Sequence, residues 1–292
     1  MTERGPLKIA IASGKGGTGK TMLAVNLASL LSRTTDTVLV DLDVEEPNDA
    51  IFIRGREGRV FEKHKLIPQW DRDKCIVCDI CSTTCKYHAV VRLGDIIAVF
   101  RQLCHSCHAC SELCPQQALP MSNHRIGEIR EIHDGRLTLI EGRLIPGEEQ
   151  GVPLINQTHE HVCSEFVMVQ VHIFDAPPGT SCPVVATVKR TDYVILVTEP
   201  TPFGLNDLKL AVETVRQLNI PAGVVINRDG IGNDEVEKWC REEKLDILAR
   251  IPYDRDIALL TSEGELVIDK ISYMVPVLND IFESVSKKTD RR

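Results

Sequence analysis

Eight of the chain's 11 cysteines stand in two runs. Cys75, Cys78, Cys81 and Cys85 lie in "CIVCDICSTTCKYHA"; Cys104, Cys107, Cys110 and Cys114 lie in "CHSCHACSELCPQQA". Both runs read C-x₂-C-x₂-C-x₃-C, and each second-run cysteine follows its counterpart by 29 residues, so the segment is an internal duplication. Thiolates at this density are soft metal ligands. Zinc favours separated ligand pairs over triplets at x₂-x₂ spacing. His88, His105 and His108 lie close by, and a histidine beside a cluster more often tunes hydrogen bonding than ligates.

A second constellation opens the chain. "GKGGTGKT" (14–21) follows an apolar run, "LKIAIAS", and precedes apolar residues at helical spacing. This is the setting in which G-x-x-x-x-G-K-[ST] binds phosphate. Loop amides and a helix N-terminus make an anion cradle. Gly14, Gly16, Gly17, Thr18 and Gly19 form it, Lys20 is placed to reach the β/γ-phosphates, and Thr21 to bind Mg²⁺.

Lys15 adds a further resemblance. "KGGTGKT" resembles the deviant Walker A motif of the MinD/ParA/Mrp superfamily of P-loop ATPases, which includes the nitrogenase iron protein. The resemblance implies that Lys15 reaches the phosphates of a second copy, so that an ATP-bridged homodimer forms. "VLVDLD" resembles the group's second motif, implying that Asp43 orients the attacking water and that Asp41 lies near Mg²⁺. "IFDAPPG" is similar to its Walker B and switch II segment, with Asp175 in the Mg²⁺ shell and Gly179 sensing the γ-phosphate. "VVINR" puts Asn227 where adenine is read, with Arg228 nearby. "IPYD", with Pro252, matches the later base-contacting loop more loosely.

The cysteine spacing resembles that of two-cluster bacterial-type ferredoxins, in which the fourth cysteine of each run serves the other cluster. By that resemblance one [4Fe–4S] cluster takes Cys75, Cys78, Cys81 and Cys114, and the other Cys104, Cys107, Cys110 and Cys85. The proline after the fourth cysteine is kept as Pro115 and replaced by Lys86 in the first run. A positive charge and a restored amide there are expected to raise the potential of the Cys85-containing cluster. Two such clusters would take the formal charge from -8 to about -12.

Cys182 follows the Walker B segment at a distance similar to that of a cluster ligand in the nitrogenase iron protein. Two readings stand: a small buried residue opening a helix, and an interface or transient cluster site. Cys163 and Cys240 are read as core or surface residues.

These residues need a scaffold. "LKIAIAS", a helix over 20–33 and "TVLVDLD" give β-loop-α-β, the signature of a parallel sheet. The alternation then stops. Residues 125–147 alternate around "HDG", a hairpin signal. Strands resume within 168–179, 192–200, 222–227 and 246–252, with helices over 203–218, 232–244 and 271–287. Residues 150–168 carry no usable signal. The expected fold is α/β: a doubly wound, mostly parallel P-loop sheet over 1–54 and 121–292. A small α+β ferredoxin-like domain is inserted over 55–120.

At 292 residues the chain is long enough for both. The net charge of -8 disfavours a nucleic-acid partner. No apolar run is long enough to span a bilayer. The opening residues show no leader, so a cytoplasmic location is expected. The cofactors expected are ATP, Mg²⁺ and two [4Fe–4S] clusters. Two functions fit: an ATPase coupling nucleotide state to electron transfer with a redox partner, and a cluster-assembly or carrier ATPase with an acceptor protein. A MinD-like positioning ATPase is a remoter third, because Pro276 and three acids interrupt the C-terminal segment it would need as an anchor.

Overall fold

The computed structural model describes residues 5–290; the first four residues, part of the stretch read for a leader, lie outside it. Among the described residues, eleven strands and nine α-helices follow in order. They are β1 (Leu7–Ala12), α1 (Lys20–Ser32), β2 (Thr37–Asp41), β3 (Arg56–Pro68), α2 (Ile80–Thr84), β4 (Val90–Leu93), β5 (Ile96–Val99), α3 (Ala109–Glu112), β6 (Met121–Asp134) and β7 (Leu137–Leu144). Then come α4 (Gly151–Glu165), β8 (Val171–Asp175), α5 (Cys182–Val188), β9 (Tyr193–Thr198), α6 (Pro202–Gln217), β10 (Ala222–Asp229), α7 (Glu235–Glu242), β11 (Asp246–Pro252), α8 (Arg255–Ser262) and α9 (Met274–Thr289).

The chain divides into two compact units. The first comprises residues up to Phe61, Ile129–Arg143 and Ile155 onward; the second comprises Glu62–Glu128 and Leu144–Leu154. The insert expected over 55–120 compares with a second unit beginning at Glu62 and including part of the hairpin and the start of α4.

The first unit is built on a sheet of order β11-β10-β9-β1-β8-β2-β7-β6-β3. The pairs from β11 to β7 are parallel. β3 and β6 carry residues of both units. β2, β8 and β9 are buried along their whole length, as strands covered on both faces must be. Ile9, Ile11, Ile173 and Ile195 face one way, into a core with Leu23 and Leu27 of α1 and Leu278 and Ile281 of α9. On β8 the alternate residue Phe174 stacks on His159 of α4 at 4.5 Å. The sheet is therefore doubly wound.

The hairpin expected around "HDG" is β6–β7, turned at Gly135 with φ 58. Its second strand joins the parallel sheet beside β2. Residues 150–168 hold α4, which carries Pro153 in its first turn, where the missing amide costs no intrahelical bond.

Small buried clusters lie in the second unit. One buried cluster is Cys81, Val90, Ile97, Cys110 and Leu119; another is Ile67, Ala89 and Cys104. The β4–β5 hairpin is antiparallel.

Candidate functional site

Parallel register sets up the first unit's chemistry. Glu141 of β7 lies opposite Asp41 of β2, and Asp41 opposite Asp175 of β8. Asp41 and Asp175 end their strands, at the edge where α/β sheets bind ligands, and Glu141 stands in register beside them in the middle of β7. Asp49 lies beside Asp41 and Asp175 and is wholly buried. Arg143 pairs with Glu141 at 2.9 Å. Burial, and then the Asp175 charge, pushes Asp41 up to about 8. Burial pushes Asp175 up to about 6 against the pull of Lys20. Asp49 is held well above the carboxylate range by burial and by Asp41, Asp175 and Glu141.

Asp41 accepts backbone N–H groups from Asp43 (3.0 Å), Asn48 (2.8 Å) and Asp49 (3.0 Å). It fixes the turn that leaves β2. Asp43, half-buried past the strand end, is raised by burial and lowered by Lys20.

The phosphate loop joins β1 to α1. At Gly14 an added Cβ would lie 2.2 Å from the carbonyl oxygen of Asp207, so the loop packs directly on the backbone of α6. Gly17 and Gly19 hold φ 76 and 97, which side-chain-bearing residues rarely adopt. Asn227 Nδ2 donates to the Thr18 carbonyl at 2.8 Å, tying β10 to the loop. The Gly179 N–H donates to the Ser13 carbonyl at 3.1 Å, tying the segment that follows β8 to it. Thr21 Oγ1 donates to Asp175 Oδ2 at 2.6 Å. Two hard oxygen donors in contact, with Lys20 buried beside them, suit a Mg²⁺–phosphate group. The structure thus brings Gly14–Thr21, Asp43, Asp175, Gly179, Asn227 and Arg228 to one edge. Pro252 ends β11 and is exposed.

In the second unit the cysteines line two pockets. Cys75, Cys78, Cys81 and Cys114 line one; Cys85, Cys104, Cys107 and Cys110 line the other. The fourth cysteine of each run therefore lies in the pocket of the other run. The duplication extends to the backbone. Val77 and Ser106 (φ 55 and 54), Asp79 and His108 (70 and 64), and His88 and Gln117 (53 and 47) are left-handed pairs, each 29 residues apart. Such a conformation is strained for a β-branched residue such as Val77. It turns the Val77 N–H toward Cys75 Sγ at 3.4 Å, and Ala118 N–H donates to Cys114 Sγ at 3.2 Å.

All eight cysteines are free thiols. Burial, with Cys104, Cys85 and Cys107 adding to it, pushes Cys110 up to about 11. A metal centre would remove that penalty by taking the thiolates as ligands. Among the described residues no three His, Cys, Asp or Glu side chains are grouped to hold a single metal ion. Four thiols to each pocket, with amides donating to Cys75 and Cys114, are a donor set that fits a [4Fe–4S] cluster in each.

The pockets differ in lining. Ile76, Asp79 and Pro115 line the first; His105 and His108, the counterparts of Ile76 and Asp79, line the second. His105 stacks on Tyr87 at 3.7 Å.

A profile of the CobQ/CobB/MinD/ParA nucleotide binding domain matches residues 9–267. The chain belongs to this family. The uncharacterized protein MJ0579 of Methanocaldococcus jannaschii is 32% identical over 259 residues, spanning 88% of this chain and 90% of that one. An iron-sulfur cluster carrier protein of Pyrococcus horikoshii is 22% identical over 268 residues, 85% of this chain and 74% of that one. The structure of the septum site-determining protein MinD complexed with Mg-ADP, from Pyrococcus horikoshii, superposes with a TM-score of 0.60 at 17% identity. It covers 97% of this chain and 96% of that one, and shares the fold.

Within this family member, sequence reasoning missed Asp49, Glu141, Glu199 and Asp207. None stands at a motif spacing; register and packing bring them in. Cys182 begins α5 and is exposed. This corrects the expectation of a small buried residue: the cysteine side of the helix faces out, while Val184, Ala186 and Val188 are buried. Cys163 is exposed near Lys8 at 3.4 Å, and Cys240 is fully buried. Among the described residues no helix is long and apolar enough to cross a membrane.

Proposed function

We propose that this chain is an ATP-hydrolysing iron–sulfur protein that couples its nucleotide state to electron transfer through two [4Fe–4S] clusters. The observation that carries the reading is the crossed lining of the two cysteine pockets, four thiols to each. The clusters would supply one-electron acceptance and release at each pocket. The chain's own residues do the rest. Lys20 neutralises the β/γ-phosphates, and Thr21 and Asp175 hold Mg²⁺. Asp43 orients water for attack on the γ-phosphorus; the bond to the ADP oxygen breaks, giving ADP and phosphate. Lys15 reaches the phosphates of a second copy in an ATP-bridged homodimer.

Connectivity supports coupling. Asp41 fixes the backbone of Asp43, Asn48 and Asp49. The chain leaving that turn continues through β3 into the second unit. Order in this turn, set by the γ-phosphate, is a known kind of switch.

The carrier reading has its own support in the 22% identity to cluster carrier proteins. Eight ligands in two lined pockets favour retention over donation. Incubating the reconstituted protein anaerobically with an apo-ferredoxin decides between the two. Clusters kept with and without ATP support electron transfer; clusters passed to the acceptor support carriage.

A further inference from the structure

Lys15 is not free. Its Nζ lies 3.1 Å from Oε2 of Glu199, just beyond the end of β9. Oε1 of the same carboxylate accepts from Arg228. The Glu199 side chain is only 8% exposed, against 33% for Lys15 and 46% for Arg228. Arg228 sits in the left-handed region at φ 54, its N–H donating to Asn227 Oδ1 at 2.9 Å. Asn227 in turn donates to the Thr18 carbonyl. A ring of contacts thus starts at Lys15, passes through Glu199, Arg228 and Asn227, and returns to the phosphate loop at Thr18.

We propose that Glu199 is a positioning residue that stores Lys15 within its own chain, and that ATP-driven pairing of two copies requires Lys15 to leave it. This rests on the dimer reading above. One cation on a nearly buried carboxylate would be hard to remove, because an unpaired buried charge is strongly destabilising. Two cations change that. When Lys15 departs for a second copy's phosphates, Arg228 still neutralises Glu199. The network therefore keeps Lys15 off the phosphates without trapping it. It also places the neighbour of Asn227, the expected adenine reader, on the same carboxylate. Base and phosphate contacts are linked through one residue.

Analytical ultracentrifugation of the holo-protein with Mg²⁺ and a saturating non-hydrolysable ATP analogue tests this. Glu199→Gln keeps the shape and removes the charge, and is expected to pair at about ten-fold lower protein concentration than wild type. Arg228→Gln leaves Glu199 dependent on Lys15, and is expected to shift pairing the other way. Opposite shifts are not produced by a merely structural role. The gain in Glu199→Gln is expected to vanish when Lys15→Ala is added. Unchanged pairing in Glu199→Gln, or weakened pairing in both variants, overturns the inference. A wild-type chain that binds the analogue yet stays monomeric overturns the dimer reading, and this inference with it.

Discussion

Cys114→Ser removes one cluster and leaves the other: iron in the anaerobically reconstituted protein falls from about eight to about four atoms per chain. The residue lies in the second cysteine run but lines the pocket of Cys75, Cys78 and Cys81. The lost cluster is therefore the first run's. Pairing variants makes the assignment testable, because residues of one site act as a unit and distant sites add. Cys114→Ser with Cys78→Ser keeps about four irons, since both changes strike one cluster. Cys114→Ser with Cys107→Ser keeps almost none. The reverse pattern would mean that each run holds its own cluster. Stability follows iron. Cys81, Cys104 and Cys110 are part of the small buried clusters of the second unit. Metal ligation by these residues would couple to the folding of the unit, so the proteolytic resistance of residues 62–128 should fall with each cluster lost.

Asp49→Asn stabilises the Mg²⁺- and nucleotide-free protein, and does so more as pH rises. The folded pKa of Asp49 is raised above its unfolded value by burial and by three neighbouring acids. The folded state therefore binds the proton more tightly than the unfolded state does. Stability is unaffected below the unfolded value, near pH 4, and declines as pH climbs toward the folded value. Asparagine carries no such penalty, and its amide can donate to the remaining carboxylates. Relief of a buried, poorly compensated acid is worth about 1–3 kcal/mol. That is roughly 3–10 °C in melting temperature for a domain of this size. Melting curves from pH 5 to 8 check it: the gap between variant and wild type should widen upward. A gap that is constant, or that closes at pH 8, would show that Asp49 is already ionised and compensated. Asp41 and Asp175 are raised for the same reasons and steepen the same decline. Mg²⁺ should flatten it by compensating the cluster's charge.

The nucleotide edge was legible because its residues sit at fixed spacings forced by phosphate geometry. Gly14–Thr21, Asp175 and Asn227 stand out in the sequence and meet in space. The cysteine runs were legible for a similar reason, and their duplication proved deeper than the sequence showed, reaching into backbone conformations at Val77 and Ser106. What stayed hidden has a common cause. Asp49, Glu141 and Glu199 acquire their surroundings only through parallel register and strand ends, which leave no mark on local spacing. β3, reading "REGRVFEKHKLIP", is charged and exposed over its first residues and so looks like a loop. α4 has Pro153 near its start and a mixed polar sequence, which masked its helical period. The small buried residue expected at Cys182 failed because position in a helix, not residue type, decided its exposure.

Under the proposed function, nucleotide state sets the redox behaviour of clusters held by the cysteines. Anaerobic potentiometric titration of the reconstituted protein, followed by electron paramagnetic resonance with Mg²⁺ and either ADP or a non-hydrolysable ATP analogue, tests it most directly. Two cluster signals are expected, with the midpoint of at least one displaced between the two nucleotides. Two clusters whose midpoints are the same in both nucleotide states would contradict it.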